Sequence, residues 1–332
     1  MEIAEDVTNA RPITILGSGM AVPKTCLSSE VLDARIGRPE GWLYRQSGVH
    51  QRYVCAGEDQ IDLAVAAAGA ALSDAGLSAH EVQLIIFAAA VSYQSIPSTA
   101  PLIQKRLEIA DGQCMSFDVN STCLSFLTAL DIASHMIGDK KALIVASEVA
   151  SRALPWKEDP ATAALFGDGA AAVIIASAGD GRIVASRMET FPSAYDACAL
   201  GAGGTRYDYH SHRADFDRNS LFHMDGDALF KLTLRHFEPF LDRLLADAGW
   251  RRDEVELVVP HQASPGALAH LVKRCGFAPD IIIDIVRDYG NQIAASIPTA
   301  LHMARLQNAK GKRTLILGTS AGVSLGGMAL IL

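Results

Sequence analysis

The stretch DAGLSAHEVQLIIFAAA at residues 74–90 aligns without gaps on DAGWRRDEVELVVPHQA at 247–263, with seven of seventeen positions identical. A chain that repeats itself at this separation is constrained to fold as two related halves. Each copy follows an amphipathic run that predicts a helix, over 61–75 and 228–248. Each then turns at Gly76 or Gly249 as a helix C-cap and enters an apolar strand. The correspondence continues beyond the aligned segment. The first half gives a strand at 115–119, a helix opening near Cys123 and a strand at 141–147. The second gives a strand at 281–286, a helix at 295–307 and a strand at 313–320, and Thr128-Ala129-Leu130 matches Thr299-Ala300-Leu301. Each half closes with an apolar strand after glycines, at 167–177 and 322–332. The order β-α-β-α-β-β thus appears twice, with strands apolar enough to be covered on both faces. The expectation is a layered α/β body of two duplicated halves, 1–178 and 179–332, each built on a mixed sheet.

In sheets of this kind, sites form outside the carboxyl ends of strands, where helices begin. In the first half that junction carries Cys123, in FDVNSTCLSF. In the second, such junctions carry His261, in VVPHQAS, and Asn291, in DYGNQIAASIP. A buried cysteine is ordinarily a small hydrophobe, and Gly-Asn is ordinary turn chemistry. A thiol at a helix start is different, because unpaired N–H groups and the helix dipole favour its thiolate. Its own backbone N–H would be one donor to the oxyanion of an attacked thioester. A second could come from the glycine-rich turn GTSAGVSLGG at 318–327. A neutral imidazole donor with an amide donor suits another oxyanion, the enolate left when a malonyl thioester loses carbon dioxide. That chemistry needs no metal or nucleotide cofactor.

Other readings fall away. A net charge of −8 with no block of Lys or Arg argues against nucleic acid as a partner. The longest apolar run, 84–91, is too short to span a bilayer, and the acidic start MEIAEDVTNA is no signal peptide. Six scattered cysteines without a CxxC pair suit a reducing compartment, so the cytoplasm is the expected location. GTSAG at 318–322 has the form of a serine-hydrolase elbow around Ser320, yet no Asp, Glu or His follows it. LGSGMAVP at 16–23 lacks the third glycine of a dinucleotide fingerprint and is read as a turn. His210 and His212, among Asp208, Asp215 and Asp217, could ligate a metal, but the stretch lacks periodicity and reads as a solvated loop.

The segments DVNSTCLSFLTAL, FGDGAAAVII, MDGDALFK, HQAS and GNQIAASIP, in this order and spacing, resemble the 3-oxoacyl-[acyl-carrier-protein] synthase III family of thiolase-like condensing enzymes. The resemblance covers essentially the whole chain. It implies a five-layered αβαβα fold, usually as a homodimer, acting on coenzyme A or acyl-carrier-protein thioesters without another cofactor. It implies Cys123 as the acylated nucleophile, His261 and Asn291 as the pair assisting decarboxylation, and the backbone of Cys123 and of Ala321 beside Gly322 as the oxyanion hole. It further implies Trp42 as the adenine-stacking residue, and Phe166, Met224, Gly226 and Phe230 along the substrate path. Four positions depart from the family pattern. Ser264 and Gly266 replace an asparagine and a carrier-docking arginine. Pro160 stands where an arginine partners the tryptophan, and Ile96 replaces an aromatic residue that limits the acyl pocket, implying a longer or different acyl group. The insert at about 193–223 is expected to shape the entrance. The implied reaction is decarboxylative condensation of an acyl thioester with a malonyl thioester, in fatty-acid or specialised synthesis. The alternatives are acyl transfer to a hydroxyl or amine, head-to-head acyl condensation, and a non-catalytic subunit.

Overall fold

The first half supplies strands β1 (Thr14–Ala21), β2 (Leu84–Ala88), β3 (Met115–Val119), β4 (Lys141–Glu148) and β5 (Gly169–Ala176), with helices α1 (Gln60–Ala75) and α2 (Ser125–Met136). The second supplies β6 (Arg182–Thr190), α3 (Gly226–Ala248), β7 (Leu257–Pro260), α4 (Pro265–Cys275), α5 (Ser296–Leu306), β8 (Arg313–Ser320) and β9 (Ser324–Ile331). These assignments come from a computed structural model that describes residues 10–332; the acidic start, Met1–Asn9, lies outside the described residues.

Both sheets are mixed. The first runs β1-β5-β4-β2-β3, with β2 parallel to β3 and β4 and the remaining pairs antiparallel. The second runs from the two-residue strand Arg11–Pro12 through β6, β9 and β8 to β7, with only β7 and β8 parallel. Alternation along the strands sorts side chains into separate cores. Ile85 and Phe87 of β2 face outward to Leu63, Ala64, Ala67 and Ala71 of α1. Ile86 points the other way, into a central layer where Phe126, Leu127 and Leu130 of α2 meet Ile297, Ala300 and Leu301 of α5. Ile316 and Met328 close that layer from the second sheet. Beyond it, Phe240, Leu241 and Leu244 of α3 and Leu271 of α4 pack on Leu315, Leu317 and Leu325. Helix, sheet, paired helices, sheet, helices: the fold is the five-layered αβαβα arrangement. Among the described residues no helix is long and apolar enough to cross a membrane.

Two expectations are corrected. The predicted strand at 281–286 is absent. Pro279 opens a 3-10 turn over Pro279–Ile281, and a helical turn takes over at Val286–Tyr289. To β7 the few residues between make a single bridge, Val258 to Ile282, and one backbone bond, Ile283 N–H to the Val258 carbonyl at 3.0 Å. The second correction concerns LGSGMAVP, in which Leu16–Ala21 is not a turn but the body of β1, with an irregularity in the pairing between Ile15 and Gly17. Its glycines answer to α1: a Cβ on Gly17 would lie 2.4 Å from the Ala71 carbonyl oxygen, and one on Gly19 2.5 Å from the Ala71 nitrogen. The alanine face of α1 and these glycines together let helix and strand backbones approach closely.

Gly19→Ala therefore forces backbone against backbone with no flexible atom to yield. A loss of about 2–3 kcal/mol is expected, the upper part of the overpacking range. Thermal melting measures it; a variant melting with the parent protein contradicts this seating of α1 on β1.

Candidate active site

Two turns, one from each half, build the site, and they are the same turn. Asn120 Oδ1 accepts the Thr122 N–H at 2.9 Å, and Ser125 Oγ accepts the Ser121 N–H at 2.9 Å. In the other half Asn291 Oδ1 accepts the Ile293 N–H at 2.8 Å, and Ser296 Oγ accepts the Gln292 N–H at 3.0 Å. Thr122 and Ile293 are forced into the left-handed region at φ 50° and 51°, an unfavourable place for β-branched residues. Each turn then makes one 3-10 turn, Thr122–Leu124 or Ile293–Ala295, before α2 or α5 begins. The amides repeat as well: Asn120 Nδ2 donates to the Ala90 carbonyl at 2.9 Å and Asn291 Nδ2 to that of Ala263 at 3.3 Å.

The structural counterpart of Cys123 is therefore Ala294, and that of Asn291 is Asn120. The signal was in the sequence: Asn120, Ser125 and Thr128 stand 171 positions before Asn291, Ser296 and Thr299 (291 − 120 = 171). Cys123 sits in the 3-10 turn ahead of α2 rather than in the helix proper.

The second half closes over Cys123 along β8. Thr122 Oγ1 donates to the Ala321 carbonyl at 3.4 Å, and the backbone N–H groups of Ala321 and Cys123 act to lower the pKa of the Cys123 thiol. Gly318 lies between the halves: a Cβ there would meet Leu124 at 2.9 Å and the His261 Cβ at 3.0 Å. His261 follows β7, its N–H bonded to the Leu317 carbonyl at 2.7 Å. Asn291 reaches the segment after His261 through its bond to Ala263. A backbone bridge ties Asn291 to Phe166, and Gly167 and Gly290 let those chains cross, since a Cβ on Gly167 would lie 2.2 Å from the Tyr289 carbonyl oxygen.

Burial governs the charges here. It pushes the Cys123 thiol well above its usual range, with Cys198 and Glu148 adding to the effect and the two N–H groups opposing it. The helix start is expected to favour the thiolate, but desolvation outweighs it. Burial lowers His261 to about 4, and its Nδ1 has no hydrogen-bond partner. The imidazole is thus neutral at neutral pH, with one N–H to donate. The arrangement holds a neutral thiol, a neutral imidazole, an amide and paired backbone donors. It suits charge that develops on a bound thioester.

Residues 117–192 match the sequence family described as 3-oxoacyl-[acyl-carrier-protein (ACP)] synthase III, and residues 245–332 match its C-terminal region. The beta-ketoacyl-[acyl-carrier-protein] synthase III of Aquifex aeolicus is 34% identical over 322 residues, 96% of this chain and 98% of that one. The chain belongs to the 3-oxoacyl-[acyl-carrier-protein] synthase III family. The crystal structure of the Aquifex aeolicus synthase III superposes with a TM-score of 0.84 at 31% identity, covering 98% of this chain and 100% of that one. OleA of Xanthomonas campestris shares the fold, with a TM-score of 0.84 at 24% identity over 97% and 98% of the two chains. The chain is an acyltransferase-type condensing enzyme of this synthase III family.

The remaining residues implied by the family pattern are spread more widely. Phe166 is buried beside Asn291 and meets Phe222 edge-on at 5.1 Å, which ties the insert to the site. Met224 pairs with Cys198 in a two-residue ladder, and Cys198 acts on the Cys123 thiol. Gly226 opens α3, and Ser264 caps α4 by accepting the Ala267 N–H at 3.1 Å. Trp42 packs on Leu32, Leu43 and Ala164, outside the cluster, and the Arg38 guanidinium covers its ring at 4.8 Å. Phe230 is half exposed against His270, and Ile96 is 88% exposed in the open segment before Pro97. Ser320 is buried, its hydroxyl turned to the Ala321 carbonyl. Asp208 accepts the N–H groups of His210 and Ser211, so that stretch is a capped surface turn.

His261 carries a pH signature. Between its ordinary value of 6.5 and about 4, the unfolded chain binds the proton and the folded chain does not, so stability falls as pH drops through that window. Replacing His261 by Asn should remove up to about 3 kcal/mol of that acid sensitivity. Denaturant midpoints at pH 7 and pH 4.5 measure it. Equal acid sensitivity in both proteins contradicts a buried neutral His261.

Proposed function

We propose that the chain loads an acyl group from a coenzyme A or carrier-protein thioester onto Cys123 and condenses it with a malonyl thioester, releasing carbon dioxide and a 3-oxoacyl thioester. The observation that carries this reading is the junction at which the Cys123 turn meets Ala321, through the Thr122 bond, and His261, across Gly318, with Asn291 bonded to Ala263 just after His261. In the loading step the Cys123 sulfur attacks the thioester carbonyl. The oxyanion draws on the N–H groups of Cys123 and Ala321, the donor thiolate leaves, and the proton lost by Cys123 ends on that leaving thiol. In the second step the malonyl carboxylate departs as carbon dioxide, leaving an enolate. Its oxygen takes hydrogen bonds from His261 and Asn291, and its carbon attacks the acyl carbonyl, expelling the Cys123 thiolate.

Imidazolium would be the stronger donor, but its charge is excluded here. A neutral donor also does not give up its proton to the enolate, which would end the condensation. The two halves, 1–178 and 179–332, divide the work: the first carries the acyl group and the second activates the malonyl unit. Trp42 with Arg38 is the proposed coenzyme A contact. Ile96, in its open segment, is proposed to bound the acyl pocket once a second copy of the chain covers it.

Intact-mass measurement after incubation with a panel of acyl thioesters tests the loading step. An adduct is expected on the parent protein and none on Cys123→Ala; labelling that survives this substitution contradicts the nucleophile. His261→Ala and Asn291→Ala should each load normally yet release carbon dioxide from a malonyl thioester about 100-fold more slowly or worse. Unchanged release from either variant removes that residue from the second step.

A further inference from the structure

Where the first half ties its site-bearing segments together by a strand ladder, the second half does so with a side chain. In the first half β2 and β3 pair along Leu84–Ala88 and Met115–Val119, and that ladder fixes where the chain enters the Cys123 turn. In the second half β7 leads to His261, and the segment after Ile282 leads through the helical turn Val286–Tyr289 to Asn291. The backbones of these two segments are joined by the Val258–Ile282 bridge and the Ile283 N–H bond. Pro260 has no N–H with which to carry the pairing further. Gln262, fully buried and next in sequence to His261, takes over from there. Its Nε2 donates to the Pro260 and Ile283 carbonyls, both at 2.9 Å. Its Oε1 accepts the Ile285 and Val286 N–H groups at 2.9 and 3.1 Å. Both amide hydrogens and both lone pairs are thus used, and an inverted amide would set its NH2 against two N–H groups. In the aligned first-half segment the same position is Ala89 (262 − 89 = 173), where the ladder makes such a side chain unnecessary.

We propose that Gln262 is a positioning residue for the malonyl step: it replaces the missing ladder and sets His261 and Asn291 at a fixed separation, at which both reach one enolate oxygen. The bond from Asn291 Nδ2 to the Ala263 carbonyl closes the connection on the other side of Gln262. The four partners of the Gln262 amide lie on Pro260, Ile283, Ile285 and Val286, away from the Cys123 turn and Ala321, so loading does not draw on them.

This inference rests on His261 and Asn291 serving the malonyl step, and its test separates the two claims. Gln262→Glu keeps the shape and still accepts both N–H groups. Burial holds the acid neutral, and its single proton serves one carbonyl instead of two. Gln262→Met keeps the length and makes none of these bonds. Single-turnover loading of Cys123 and steady-state carbon dioxide release from a malonyl thioester are measured on the same samples, where a smaller folded fraction lowers both together. The kcat for release is expected to fall at least about threefold in Gln262→Glu and at least about tenfold in Gln262→Met. The loading rate and the KM for the malonyl thioester should each stay within about twofold of the parent. Release in Gln262→Glu that falls no further than loading overturns the inference, whether or not Gln262→Met folds. If the parent protein does not load Cys123, or releases carbon dioxide as fast after His261→Ala and Asn291→Ala, the proposed function fails, and this inference with it.

Discussion

Each half of the molecule holds one strained turn by the same two bonds: an asparagine oxygen on the N–H two residues ahead, and a serine hydroxyl on the N–H four residues before it. Those bonds stabilise left-handed backbone at Thr122 and Ile293, where neither side chain belongs by intrinsic preference. Everything at the site hangs from them. They set the Cys123 turn against Ala321, send the Asn291 amide to Ala263, and start α2 and α5, whose apolar faces share the central layer. In the proposed function the same clasp serves as a nucleophile turn in one half, where it carries Cys123, and as a donor turn in the other, where Ala294 stands in place of the cysteine.

Covering the site changes its electrostatics more than the helix starts do. The dipole and the local N–H groups pull the thiol toward ionisation, but desolvation wins. The same cover keeps His261 neutral. A site without resident charge suits reactions whose charge appears only in passing, because fixed donors in a dry cavity stabilise it more strongly than water does.

Much of this was legible in the sequence, for identifiable reasons. The aligned DAG segments gave the duplication, and unbroken apolar strands with Ala-rich helices gave the layers. What stayed hidden depends on contacts between segments far apart in sequence. LGSGMAVP looks like a turn because its glycines are explained only by the backbone of α1. The run 281–286 is apolar enough for a strand, but Pro279 and the helical turn at Val286 leave it too little length. The thiol's raised pKa follows from burial in the folded chain, which no reading of FDVNSTCLSF alone supplies.

The central claim is that the two halves form one oxyanion site at Cys123. A crystal structure of the protein acylated at Cys123 tests it most directly. The acyl carbonyl oxygen should lie about 2.7–3.1 Å from both the Cys123 and the Ala321 nitrogens, the range of a working oxyanion donor. An acyl oxygen turned toward His261 and Asn291, with both backbone N–H groups left unfilled, would contradict the account.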